Sequence, residues 1–164
     1  MAELLRNPET LKNAKVELEQ IVGKGKPISE SDIPHLPYLS AIVKETLRMH
    51  PAVPFLIPRE VDSEEQVCDY TIPKGTQVLV NAWAIGRGQS IWPKPDSFMP
   101  ERFMDSKIDL PLAIRMIPMM LGSLINLFDW KLQGGIEPKD LDMKEKFGIT
   151  LQKAQPLLAI PIGG

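Results

Sequence analysis
The sequence predicts an α+β fold that is mainly α, with small antiparallel sheets in the middle and at the end of the chain. Three observations carry that expectation. Apolar residues recur at helical spacing over residues 1–22, between Pro37 and Pro51, and over 111–128. Short β-rich runs at 68–72, 77–80, 130–132 and 157–162 are bounded by turn residues. The 16 prolines favour fixed turns and short elements over a helical bundle.

In chain order, Leu4, Leu5, Leu11, Ala14, Val16, Leu18 and Ile21 give the first helical stretch its apolar spacing. Pro8 interrupts it, so Asn7 is expected to cap a fresh helix with Pro8 in the first position. Gly23-Lys24-Gly25-Lys26-Pro27 ends that helix. Residues 29–32 form a polar turn with helix-start character. The next helix opens at Pro37, with an apolar stripe of Leu39, Ile42, Val43, Thr46 and Leu47 beside Glu45 and Arg48. It stops at Pro51, which has no N–H and disfavours a helical His50. Glu45 and Arg48 stand one helical turn apart; read alone, they make a surface ion pair worth about 0.3–0.5 kcal/mol.

Residues 51–58 hold Pro51, Pro54 and Pro58 among apolar neighbours, an extended segment that cannot be a central strand. Residues 59–67 are charged and suit an edge strand or loop. Residues 68–72 and 77–80 are expected to form a hairpin across Pro73-Lys74-Gly75-Thr76. A short helix begins at 81–87, and 88–100 is a proline-studded meander leading to Glu101-Arg102-Phe103. In the helix over 111–128, Leu112, Met116, Met119, Met120, Ser123 and Leu127 line one side, and Pro118 kinks it or confines it to an irregular first turn. A final hairpin has its tip near 147–151 and Pro156.

Composition narrows the function. The chain of 164 residues is long enough for one domain with its own core. A net charge of −2 supplies no basic field for nucleic acid or an anionic membrane. Cys68 is the only cysteine, which excludes an intramolecular disulfide and a multi-cysteine metal site. No apolar run is long enough to span a bilayer.

Three motifs then fall in a telling order: Glu45-Thr46-Leu47-Arg48, Tyr70-Thr71-Ile72-Pro73-Lys74-Gly75-Thr76, and Trp92-Pro93…Phe98-Met99-Pro100-Glu101-Arg102-Phe103. Together they resemble the C-terminal third of a plant cytochrome P-450. The tail at 141–151 further resembles terpenoid hydroxylases of the geraniol 8-hydroxylase and ferruginol synthase type. The resemblance implies an incomplete version of that fold: the family's J and K helices, small antiparallel sheet, meander, L helix and final hairpin, as one partial domain over residues 1–164. It implies that Glu45, Arg48 and Arg102 form a buried structural triad locking helix to meander, since planar guanidinium forks satisfy a carboxylate's oxygens. It places Arg59 where the family contacts a haem propionate. It places Val53, Pro54, Phe55, Leu56, Ile149 and Thr150 on segments that line the substrate pocket. Intact relatives are expected to use haem, O2, a small apolar substrate and electrons from NADPH through a cytochrome reductase at the endoplasmic reticulum membrane.

The sequence also departs from the family. The glycine- and arginine-rich loop that ends in the iron-binding cysteine is expected between the meander and the last long helix. Here Lys107-Ile108-Asp109-Leu110 runs directly into Pro111-Leu112-Ala113-Ile114, so a deletion is inferred at 110/111. Cys68 precedes the Tyr70 motif, is expected to be an inert packed thiol, and is not the ligand; no metal ligand is assigned. The oxygen-activating helix and the membrane anchor lie upstream of Met1 in the resemblance. The chain is therefore expected to lack monooxygenase activity and stable haem, with no catalytic residue assigned and a cytoplasmic or peripheral location. Two alternatives stand beside it: a non-catalytic protein that competes for partners, and an unstable product of mis-splicing or a gene-model error.

Overall fold
A computed structural model describes residues 1–104 and 116–163. The first helical stretch divides at Pro8 into α1 (Ala2–Arg6) and α2 (Pro8–Ile21). Pro8 takes the first helical position, where a missing N–H leaves nothing unpaired. Asn7 does not cap α2 with its side chain. Its amide donates back to the Glu3 carbonyl and Oε2 at 2.8 and 3.2 Å, tying the new helix to the old one. Ser29 and Asp32 bond reciprocally and start a 3-10 helix, Glu30–His35. α3 (Pro37–Met49) follows. Its first amides are satisfied from α2, where Glu17 accepts from Tyr38 and Leu39 at 2.7 and 2.8 Å. Burial pushes the Glu17 carboxyl up, with those two amides opposing.

Next come β1 (Arg59–Glu60), β2 (Glu65–Val67), β3 (Tyr70–Ile72) and β4 (Gln77–Val78). β2 pairs with β3 and β1 with β4, both antiparallel. This corrects the expected hairpin across 73–76. The turn exists, with Gly75 at φ +80°, but it carries the chain from β3 to a strand that pairs elsewhere. A two-residue connection, Cys68-Asp69, joins β2 and β3 as a tight hairpin, and β4 pairs with β1. Cys68 itself is exposed at φ +53°, so it is a turn residue and not the packed thiol that was expected.

α4 (Ala82–Gly86) is capped by the Asn81 side chain, which accepts from Ala84 N at 3.0 Å. The meander ends in a 3-10 turn, Pro100–Phe103. α5 (Met116–Leu127) leads into β5 (Phe128–Leu132), and after two 3-10 turns come β6 (Glu145–Lys146), β7 (Gln152–Lys153) and β8 (Ala159–Gly163). β5 pairs with β8 and β6 with β7. The inferred junction at 110/111 and the first residues of the helix expected from 111 lie outside the described residues.

The core lies where α2, α3 and α5 meet, around Leu18, Ile28, Leu36, Leu39, Ile42 and Ile125. α5 buries Pro118, Gly122 and Ile125 and not the methionine line. Met116 and Met120 are each 64% exposed, while Met119 packs partly on the core. Gly122 sets that rotation. A Cβ there would lie 2.1 Å from Ile28 Cδ1 and 2.8 Å from Leu39 Cδ2, so any larger residue would make those two side chains shift before α5 could seat this closely. Pro118 is buried in α5, and the residues that precede Met116 lie outside the described ones.

Candidate functional site
Glu45 sits in the middle of α3 with no exposed surface, and Arg48 is 8% exposed. Arg48 Nε donates to Glu45 Oε2 at 2.7 Å and its Nη2 to Oε1 at 2.9 Å, a bidentate pair. Arg102, brought in by the turn at Pro100–Phe103, donates from Nε to the same Oε1 at 3.2 Å. The Met99 amide adds a fourth donor at 2.8 Å. The arginines also grip the backbone. Arg48 donates to the Gly86 and Ser97 carbonyls, and Arg102 to those of Pro93, Lys94 and Ser97. Both guanidinium carbons lie near the Trp92 ring, at 5.4 and 5.9 Å from its centroid. A buried ion group is tolerable only when its remaining lone pairs and N–H groups are used, and here they are.

A second polar cluster was not legible in the sequence. His50, just past the end of α3, bridges two carboxylates from distant elements. Its Nε2 lies 2.8 Å from Glu3 Oε1 on α1, and its Nδ1 lies 2.5 Å from Glu145 Oε1 on β6. Glu145 also accepts from Trp83 Nε1 at 3.0 Å and Arg87 Nη2 at 3.2 Å. The Arg87 guanidinium stacks over the Trp83 ring, 4.1 Å from its centroid. Burial disfavours the His50 imidazolium, yet the bonds and charges of Glu3 and Glu145 outweigh it and hold the ring above its ordinary value. Burial likewise opposes the charged form of Glu145, but Trp83, His50 and Arg87 together hold its carboxyl below the usual value. The only hint in the sequence was a lone histidine at a helix end before proline.

The cluster borders a cavity of about 210 Å³ lined by Thr46, Met143, Leu151 and Lys153, and a more open one of about 440 Å³ that reaches Arg6, Asp96 and Phe147. None of Val53, Pro54, Phe55, Leu56, Ile149 and Thr150 lines either cavity. The two segments that hold them do meet. The Leu151 amide donates to the Ala52 carbonyl at 2.9 Å, and Trp83 N to the Pro54 carbonyl at 3.2 Å. Pro54 is fully buried, whereas Phe55 and Leu56 are about half exposed and Ile149 is 93% exposed. Pro54 therefore packs and presents no surface to a ligand. Arg59 is exposed in β1, paired across to Val78.

Haem-thiolate binding needs a cysteine presented between the meander and α5. The chain's single cysteine instead occupies the exposed β2–β3 turn. The residues present do not fit the haem-thiolate group.

A helix carboxylate locked by two arginines, one from its own next turn and one from a proline-rich meander, defines a scaffold class and not a reaction centre. That scaffold matches the model of the cytochrome P-450 family over residues 1–111, and the chain belongs to this family. It is 55% identical over 181 residues to geraniol 8-hydroxylase of Catharanthus roseus, a match covering 98% of this chain and 37% of that protein. It is 56% identical over 180 residues to geraniol 8-hydroxylase of Swertia mussotii, covering 98% and 36%. A zebra fish cytochrome P-450 solved with abiraterone superposes with a TM-score of 0.83 at 29% identity, over 98% of this chain and 41% of that one. The chain thus spans a little over a third of the length of the two plant relatives.

Proposed function
We propose that this chain is a partial cytochrome P-450 unit of terpenoid-hydroxylase descent that does not itself carry out monooxygenation. The carrying observation is the position of its one thiol, exposed at Cys68 in a turn ahead of the meander. In the intact enzymes the thiolate-bound haem supplies the O–O cleavage chemistry. A deletion at 110/111 accounts for the loss of the ligand. Two findings support it. The family match ends at residue 111, and the matched stretch of the Catharanthus relative, 181 residues, exceeds the 164 of this chain. Terpenoid substrates, a haem-propionate contact at Arg59 and electron supply from an NADPH-dependent reductase belong, on this reading, to intact relatives. Val53, Phe55, Leu56, Ile149 and Thr150 would face the apolar substrate there. No helix among the described residues is long and apolar enough to cross a membrane.

The test is to supply haem during expression and record the reduced, CO-bound spectrum. The expected result is no thiolate-type Soret band; such a band at the position of intact family members overturns the proposal. Sequencing the gene between the codons for Leu110 and Pro111 tests the deletion, which predicts a skipped segment encoding a cysteine loop. A second reading, a non-catalytic protein that binds a partner, is favoured by the exposed apolar side chains of Phe55, Ile57, Met116, Met120 and Ile149. Solubility and cooperative melting of the purified chain separate this reading from an unstable product of mis-splicing or a gene-model error, which would show neither.

A further inference from the structure
The cluster around His50 takes no part in the reading above, and its geometry sets a condition on protonation. Both ring nitrogens face carboxylate oxygens, at 2.5 and 2.8 Å. A neutral imidazole has one N–H and one lone pair, whereas an ionised carboxylate only accepts. With both carboxylates ionised, the two contacts are hydrogen bonds together only when the ring carries both protons. We propose that His50 is a protonation-dependent latch joining α1, the end of α3 and the β6–β7 hairpin. Charged, it donates to Glu3 and Glu145 and holds the hairpin down. Neutral, it turns a lone pair toward one carboxylate and lets the hairpin open.

Every element around the ring contributes charge. α1 brings the Met1 amine, Glu3 and Arg6; the residue after α4 is Arg87; the meander brings Asp96; the hairpin brings Lys144, Glu145 and Lys153. Among the described residues, only Glu3 and Glu145 bond the ring. Each carboxylate keeps other donors when the ring lets go: Asn7 for Glu3, Trp83 and Arg87 for Glu145. Release therefore strands neither charge while the hairpin is seated; it removes one of several ties, so the hairpin opens more often while the rest of the chain stays folded. The carboxylates also hold the ring proton beyond the ordinary histidine value of 6.5, which sets release on the alkaline side of that value. Among the described residues the hairpin is also held through Glu145 by Trp83 and Arg87. Its tip rests on the Leu151–Ala52 hydrogen bond and on an edge contact between Phe147 and Trp83 at 5.8 Å.

The test is amide hydrogen exchange on the full chain, with the His50 ring followed by NMR over the same pH series. The readout is protection of the Leu151 amide, which bonds to the Ala52 carbonyl outside the hairpin, divided by protection of the β5–β8 ladder. The division cancels the intrinsic pH dependence of exchange. The ratio should fall about tenfold per unit that the folded ring's pKa exceeds the open one, in step with the ring titration. In E3Q, where an amide can serve an unprotonated nitrogen, the fall should vanish; H50N, which has no titrating group, should show none either. A ratio that stays flat across the wild-type ring titration overturns the latch, as does a fall that persists in H50N.

Discussion
Glu45 and Glu145 are both carboxylates withdrawn from water and shared among donors from distant parts of the chain, yet the two regions are built to opposite ends. Around Glu45 the cations are arginines, whose charge does not titrate in the range where proteins fold, and their spare N–H groups are spent on meander carbonyls. Around Glu145 the bridging cation is a histidine, which can lose its charge near neutrality. The first arrangement fixes a helix to a meander under all ordinary conditions. The second fixes a small exposed hairpin conditionally. The difference shows that the same motif, a shared buried carboxylate, serves as a permanent brace or a reversible one according to which cation is chosen.

The sharpest way to break the comparison is Glu45→Ala. It leaves Arg48 and Arg102 uncompensated in a buried site and should cost about 3–5 kcal/mol in urea unfolding. A loss below about 1 kcal/mol, the range of exposed pairs, would mean the site behaves as a surface bridge. Gly86→Ala probes the same brace from the α4 side. Its Cβ would lie 2.3 Å from the Arg48 carbonyl oxygen, and the forced shift should cost about 1–3 kcal/mol by the same measurement.

Next comes pH. The His50 proton is held above its ordinary value, so its contribution is full below pH 6.5 and is lost as pH rises through the folded value. The Glu145 carboxyl is held below its ordinary value, so its contribution is full above pH 4.5 and is lost as pH falls through the folded value. Stability from this cluster is therefore greatest between 4.5 and 6.5. Subtracting the stability curve of His50→Asn from that of the parent should give a difference that declines on the alkaline side. A difference curve flat with pH would erase the contrast with the Glu45 site. The smallest effect is expected at Cys68→Ser, within about 0.5 kcal/mol of the parent, because the thiol is an exposed turn residue. The same thiol should react fully with a disulfide reagent without denaturant, which a packed cysteine would resist.

Much of the scaffold was legible in the residues. Proline at 8 and at 37 marked two helix starts, the apolar spacing of Leu39, Ile42 and Val43 marked the buried face of α3, and Pro100-Glu101-Arg102-Phe103 announced the partner of Glu45. These signals are local or repeat within one helix, so they survive without knowledge of neighbours. The resemblance motifs brought Arg102 to Glu45, whereas spacing alone left Glu45 and Arg48 as a surface pair.

What the sequence by itself determined is therefore the starts of α2 and α3, the stop of α3 before Pro51, the family to which the motifs belong, and the absence of a cysteine after the meander. Only the tertiary structure decided which strands pair, which side of α5 is buried, and what His50 touches. β3 pairs with β2 across the short Cys68-Asp69 connection, and β4 pairs with β1. α5 had two apolar faces, and the close approach allowed by Gly122 selected one. His50 meets Glu145 across 95 positions of chain. Such a contact exists only once α1, α3 and the hairpin have been packed together, because nothing in the local sequence of any one of them specifies the other two.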